Sequence, residues 1–220
     1  VPAFNSKVFL FKQHLTRLDQ SLRKVGSKNP LSHEEWKKIV AAILQANGIG
    51  DWALYIQVSR GVAPRAHWTE HYAAPTVFVM CQPLEARCGL KSVRAITTSD
   101  SRWGRCDIKS TGLLPNVLAK RESVLFDCSD AIFIKRGMVT EATASNVFMV
   151  KDRKVLTPPL TQKILPGVTR GVLIELLKKN GMSIEQRAIS EKYLKQSDEI
   201  WLTSSTRNIV TVSHLDGDLI

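Results

Sequence analysis

The segment from Ala131 to Thr157, AIFIKRGMVTEATASNVFMVKDRKVLT, decides the reading of the fold. Ala131 to Lys135, Met138 to Thr140, Asn146 to Lys151 and Lys154 to Thr157 read as short, hairpin-like strands. Between the second and third of them, Glu141-Ala142-Thr143-Ala144-Ser145 places one acid ahead of small and hydroxylated residues. Small residues let a flat ligand come close to the backbone, and hydroxyls supply hydrogen bonds to it. An exposed connecting loop is the plainer reading of the same five residues taken alone.

Working outward, Leu113 to Cys128 has helical character, and Trp52 to Ser59, Thr76 to Cys81 and Ser92 to Thr98 read as strands. His14 to Val25 carries Leu15, Leu18, Leu22 and Val25 on one face. Ser32 and Glu35 form a capping box ahead of Trp36, Ile39, Val40, Ile43 and Leu44, and Gly48 and Gly50 end that helix. Lys7 to Phe11 reads as a strand. Downstream, Thr169 to Asn180 is a helix opened by a glycine, and Glu199 to Thr203 and Asn208 to Ser213 are strands. Leu215 to Asp218 reads as a turn, with Leu219-Ile220 beginning another strand. Alternation of the two periods predicts a mixed α/β (α+β) protein. The proline-bearing loop from Gln82 to Arg87 is the best boundary. It predicts a small N-terminal domain over 1–85 and a larger, β-rich domain over 86–220.

The 220 residues are 44% hydrophobic and 23% charged, which excludes a collagenous, low-complexity or disordered chain. No apolar run approaches the ~20 residues of a membrane span, so no membrane partner is expected. Lys and Arg number 31 against 20 Asp and Glu, a net charge of +11. That surplus favours an anionic ligand or partner. Because the basic residues are scattered in ones and twos without interleaved aromatics, nucleic acid is not the expected partner. Cys81, Cys88, Cys106 and Cys128 form no C-x-x-C pattern and read chiefly as small buried hydrophobes in a reducing compartment, the cytoplasm.

Three further segments can carry chemistry. In Arg102-Trp103-Gly104-Arg105-Cys106-Asp107-Ile108-Lys109-Ser110, an extended backbone would put Arg105, Asp107 and Lys109 on one face. This is either a solvated edge strand or the setting of a nucleophilic lysine, since a desolvated lysine beside another cation becomes competent to form a Schiff base. Leu165-Pro166-Gly167-Val168-Thr169-Arg170 opens a helix, and Thr203-Ser204-Ser205-Thr206 ends a strand in hydroxyls. Free N–H groups at a helix start with hydroxyls beside them suit a single phosphate, although either segment alone is equally a cap or a turn. Neither G-x-x-x-x-G-K-[ST] nor G-x-G-x-x-G is present, so these loops are not read as seats for a nucleotide. A lysine, an acid and two phosphate seats together match the needs of pyridoxal phosphate.

On those segments, with Ser59 to His67 and Leu118-Ala119-Lys120, the chain resembles the fold type IV pyridoxal-phosphate enzymes. Among them it is most similar to the D-amino acid aminotransferases. The resemblance implies a two-domain fold whose N-terminal domain lacks its first segment and whose cofactor domain lacks its last, and both ends of the chain look cut from something longer. It implies that Lys109 carries the cofactor as a Schiff base and shuttles the proton. It also implies that Glu141 pairs with the pyridine nitrogen. Arg17, Val168, Thr169, Ser204 and Ser205 would hold the phosphate, and Leu165 would pack beside the ring. Arg65 and His67 would bind the substrate carboxylate from a loop donated across a homodimer interface, with Tyr55 also on the substrate side. The implied reaction moves an amino group between a D-amino acid, D-alanine first, and a 2-oxo acid such as 2-oxoglutarate or pyruvate. A branched-chain L-amino acid aminotransferase or an aminodeoxychorismate lyase are the alternatives on the same fold, and a basic nucleic-acid-binding protein is a distant one.

Overall fold

A computed structural model describes residues 1–67, 74–84 and 92–220. It divides into two compact units, Val1–Arg87 and Cys88–Ile220. The expected boundary between residues 85 and 86, and Cys88, lie outside the described residues.

The first unit is a four-stranded antiparallel sheet with two helices. Strands β1 (Pro2–Phe4), β2 (Lys7–Val8), β3 (Trp52–Ser59) and β4 (Thr76–Pro83) lie in the order β2-β1-β3-β4. Helix α1 (Phe11–Lys24) begins sooner than the periodicity of its apolar face implies, and this corrects the expected strand over Lys7 to Phe11. Only Lys7 and Val8 are in a strand. Leu10 adopts the left-handed conformation (φ 53°, ψ 40°), which breaks the extended run and turns the chain into the helix. Helix α2 (His33–Asn47) starts at the expected capping box. The Glu35 backbone N–H donates to Ser32 Oγ, and the Ser32 backbone N–H donates to Glu35 Oε2. Its apolar face buries Trp36, Val40 and Leu44, the last two packed with Ala3 and Leu54 of the sheet. The Trp36 indole N–H donates to Asn29 Oδ1 at 2.9 Å, so even this fully buried ring has its polar atom satisfied.

The second unit is built on one mixed sheet. Its strands are β5 (Ser92–Ser99), β6 (Asp130–Lys135), β7 (Met138–Ala142), β8 (Asn146–Lys151), β9 (Lys154–Thr157), β10 (Ile184–Gln186), β11 (Glu199–Ser204), β12 (Asn208–Leu215) and β13 (Asp218–Leu219). The sheet runs β10-β9-β8-β11-β12-β5-β6-β7, with β13 paired to β12. The hairpins β6–β7, β8–β9 and β11–β12 are antiparallel, whereas β12–β5, β5–β6 and β9–β10 are parallel. Burial on both faces explains the continuous apolar runs of β6 and β8: Ala131, Ile132 and Phe133 are fully buried, as are Val147, Phe148 and Met149. One face packs on Leu194 of the short helix α5 (Glu191–Leu194) and on Ile189. The other packs on Leu173, Ile174 and Leu177 of helix α4 (Val168–Lys179). Helix α3 (Leu114–Leu125) covers the β5–β6 end through Ala119. It stops short of the expected Cys128, where Asp127 turns left-handed at φ 54°.

The extended backbone considered for Arg105 to Lys109 is not found. Those residues form a turn in which the Ile108 N–H donates to Arg105 O at 3.2 Å. Arg105 therefore reaches its neighbour Asp107 (3.1 Å) as part of that turn, and no strand face carries an ion row. Cys128 is buried, Cys81 and Cys106 are half-buried, and all three are free thiols. No helix among the described residues is long and apolar enough to cross a membrane.

Candidate active site

Glu141 lies near the end of β7 and is almost completely buried. The exposed loop that its segment could have been is ruled out by this burial. One carboxylate oxygen, Oε1, accepts from Arg102 Nη1. The other, Oε2, accepts from the Leu165 backbone N–H at 3.0 Å and from Asn146 Nδ2 at 3.2 Å. Burial pushes the Glu141 carboxyl above its ordinary range, and the Arg102 charge opposes that push.

Asn146 begins β8 and joins three of the expected segments. Its amide donates to Glu141 and, at 2.9 Å, to the Leu165 carbonyl. Its oxygen lies so close to Gly167 that a Cβ there would stand 2.0 Å from it. Gly167 caps α4, so the helix start bearing Val168 and Thr169 is held against the Glu141 group. Thr203, near the end of β11, pairs directly with Asn146 across the sheet. This brings the turn carrying Ser204 and Ser205 to the same edge. Thr203 Oγ1 is buried with no hydrogen-bond partner.

Lys109 is exposed at the end of its turn. That turn and the residues leading into it are tied to the chain ahead of Leu165: the Asp107 N–H donates to Gln162 O at 3.2 Å, and Nη2 of Arg102, three residues before the turn, donates to Lys163 O at 3.1 Å. The second unit thus brings together the segments of Lys109, Glu141, Leu165, Val168, Thr169, Ser204 and Ser205.

Arg17, Tyr55, Arg65 and His67 belong to the first unit. Arg17 is buried on α1, where burial lowers its pKa to about 10, and its guanidinium lies 3.4 Å from His14 Nδ1. Tyr55 is exposed on β3, donates to Gln57 Oε1 at 2.6 Å and meets Phe78 edge to face. Arg65 and His67 are exposed in the loop after β3, and Trp68 beyond them lies outside the described residues.

Sequence reasoning missed several residues that build the site. Arg102 stands in the lysine segment and Asn146 at the head of a strand with nothing local to give either a role, and Asp100, Asp130 and Arg207 lie outside every segment singled out in the sequence. Buried Asp130 accepts from the Thr143 N–H and Oγ1 through Oδ1, and from Arg207 Nη2 through Oδ2. Arg207 also donates to Ser145 Oγ at 3.0 Å. The clamp locks the turn after Glu141 to the turn of Ser205, Thr206 and Arg207. Asp130 could have been found as the one charged residue opening an otherwise apolar strand. Arg207 had no local signal.

A buried carboxyl, a helix start and hydroxyl-rich turns gathered on one sheet edge, with a lysine turn tied beside them, define a class of protein. The chain belongs to the family Amino-transferase class IV, which it matches over residues 1–215, and has the fold type IV architecture. Among its relatives is D-alanine aminotransferase of Bacillus licheniformis, 36% identical over 219 residues, covering 99% of this chain and 77% of that protein. Similar solved structures include the PLP-bound form of a hypothetical aminotransferase from Mycobacterium tuberculosis (TM-score 0.87, 27% identity, 99% of this chain and 80% of that one). A putative 4-amino-4-deoxychorismate lyase from Legionella pneumophila is also similar (TM-score 0.85, 25% identity, 100% and 82%).

Proposed function

We propose that the chain transfers an amino group between a D-amino acid, D-alanine first, and a 2-oxo acid, with pyridoxal 5'-phosphate as cofactor. The observation that carries this reading is Glu141: a buried carboxylate gripped from three sides, at the sheet edge where the α4 start and the Ser204-Ser205 turn also lie. These residues fit the cofactor. Oε1 has one donor and so keeps a lone pair for a ring N–H. Thr203 Oγ1 is a buried hydroxyl still to be satisfied beside the phosphate seat. When bound, the cofactor supplies an aldehyde that takes up the amino group and a pyridine ring that accepts the electron pair released at the substrate Cα.

Lys109 would hold the cofactor through its aldehyde, and its amine would take up and return the proton at the substrate Cα. Glu141 holds the proton on the ring nitrogen. Val168 and Thr169 at the α4 start, the hydroxyls of Ser204 and Ser205, and Arg17 bind the phosphate. Leu165 packs beside the ring. Arg65 and His67 bind the substrate carboxylate, with Tyr55 on the substrate side. The similarity to a D-alanine aminotransferase over nearly the whole chain supports the D-amino acid preference.

A homodimer is part of the same reading. Helix α3 exposes Leu114, Val117, Leu118 and Leu125 at 68, 59, 53 and 75%. These residues recur at helical spacing and present an apolar stripe of the kind that a second subunit covers.

Purified protein reconstituted with pyridoxal 5'-phosphate and 2-oxoglutarate is to be assayed with D-alanine, L-leucine and aminodeoxychorismate. Turnover of D-alanine above the other two is expected. Preference for L-leucine would overturn the subfamily assignment. Pyruvate release from aminodeoxychorismate would favour the lyase reading, which the similarity to the Legionella protein motivates. Borohydride should fix the cofactor to Lys109, and the Lys109→Ala protein should lose both the fixed adduct and turnover.

A further inference from the structure

Arg102 is the most heavily committed side chain at the site, and most of its bonds do not go to Glu141. Asp100, just beyond β5, accepts from Arg102 Nε at 2.9 Å through Oδ1 and from Nη2 at 2.8 Å through Oδ2. The Arg102 backbone N–H also donates to Oδ1, at 3.1 Å. Thr140 Oγ1 donates to Asp100 Oδ2 at 2.9 Å and lies 3.1 Å from Arg102 Nη2. The guanidinium stacks 4.4 Å over the Phe133 ring. Side-chain exposure is 1% for Asp100, 4% for Arg102 and 9% for Glu141, so water screens none of the three.

A buried Arg–Glu pair alone would be neutral. With Asp100 ionised as well, the three groups sum to one negative charge. Asp100 takes a bidentate share of the cation, the stronger arrangement, and leaves Glu141 a single donor from it. Burial disfavours ionisation of Asp100, yet Arg102 outweighs it and holds the carboxyl below its ordinary range. The surplus charge therefore falls on Glu141, which keeps the smaller share of the cation, and burial, with the Asp100 charge adding to it, raises its proton affinity. Other groups around the triad are Lys135, whose Nζ donates to the Arg102 carbonyl at 3.3 Å, and the Cys106 thiol, which burial pushes up.

We propose that Asp100 is a positioning residue that neutralises Arg102, so that Arg102 can orient Glu141 without cancelling its charge toward the cofactor's ring nitrogen. The proposal rests on the cofactor reading above. Without Asp100, Arg102 would be a full counter-ion to Glu141 and would compete with the protonated ring for it.

The test measures dissociation constants of the full chain for pyridoxal 5'-phosphate and for its 1-deaza analogue, in which CH replaces the ring nitrogen. The ratio of the two affinities reports the Glu141–ring interaction, because the aldehyde and phosphate are common to both. Asp100→Asn should lower this preference for the nitrogen ring by on the order of tenfold, the equivalent of about one pKa unit at Glu141. Arg102→Gln should raise it. The double variant Asp100→Asn/Arg102→Gln removes both charges and should return it to near that of the unsubstituted chain. An equal loss of both affinities in Asp100→Asn, or no recovery in the double variant, would show a packing role and overturn the proposal. If Asp100→Asn does not fold, the other two decide: a lowered preference in Arg102→Gln, or in the double variant, also overturns it. Binding of neither aldehyde by the unsubstituted chain would overturn the cofactor reading and this proposal with it. Normal binding with an unchanged ratio in Asp100→Asn would overturn the proposal alone.

Discussion

Replacing Gly167 with alanine adds one methyl group at the tightest backbone approach of the site. The backbone itself does not object, since Gly167 has φ −66° and ψ 133°, a conformation open to any residue. The objection is steric. The new Cβ would lie 2.0 Å from Asn146 Oδ1 and 3.4 Å from Arg170 Cβ. Asn146 is a short, buried side chain and cannot swing away without releasing Glu141 Oε2 and the Leu165 carbonyl. A bond to a charged acceptor is worth about 1.5–3 kcal/mol and a neutral one about 1 kcal/mol, so relief of the clash costs about 2–4 kcal/mol. Urea unfolding of the chain without cofactor measures this loss, and a drop in midpoint at constant slope is the expected signature. The same argument predicts strong coupling to the partner. In an Asn146→Ala background the added methyl meets no oxygen, and Gly167→Ala should cost only about 0.5 kcal/mol, its residual effect as a poorer cap. Gly167→Ala within about 0.5 kcal/mol of the unsubstituted chain, or losses that simply add in the double variant, would refute the reasoning.

Three further outcomes are expected. Trp36→Ala empties a fully buried site and removes one of the two donors to Asn29 Oδ1, leaving the Leu31 N–H, so a loss of about 3–5 kcal/mol is expected by the same unfolding assay. Because the folded state holds the Glu141 proton more tightly than the unfolded chain, stability should fall as pH rises from 4.5 through the raised value. Glu141→Gln should remove that part of the slope in cofactor-free melts above pH 4.5, a range above the ordinary 3.8 below which the Asp100 contribution begins to be lost. Leu114→Glu with Leu118→Glu puts charge into the α3 stripe and should convert a dimer to monomer in sedimentation velocity at micromolar concentration, with the far-ultraviolet spectrum unchanged.

Much of this architecture could be read locally because its causes are local. The Ser32–Glu35 box fixes the start of α2 within one turn. The uninterrupted apolar runs of β6 and β8 announce strands buried on both faces. The reading failed where a single backbone rotation or a distant partner governs. Lys7 to Phe11 has strand composition, but the left-handed Leu10 ends it. Arg105 and Asp107 look like alternate residues of a strand until the turn at Ile108 pairs them. For the site, Glu141 stood out as a lone acid among small residues. The cation that orients it lies 39 positions away and the carboxylate behind that cation two residues further, separations for which periodicity has no signal. The Asp130–Arg207 clamp spans 77 positions and was invisible for the same reason.

The parallel pairing of β12 with β5 also governs how the second unit assembles. Strands β5 to β7 form one run of the sheet and β8 to β11 with β9 and β10 another, and β12 is the strand that hydrogen-bonds to both, through β5 on one side and β11 on the other. It spans Asn208–Leu215, so a growing chain that has not yet reached residue 208 holds two unjoined half-sheets with open edges. Glu141 is on one half and Asn146 on the other. These two residues are five positions apart and meet through the local turn that the Ala142 N–H closes on Ser145 O, whereas the parallel β12–β5 pairing is the late, long-range event of the kind that slows folding and invites chaperone attention.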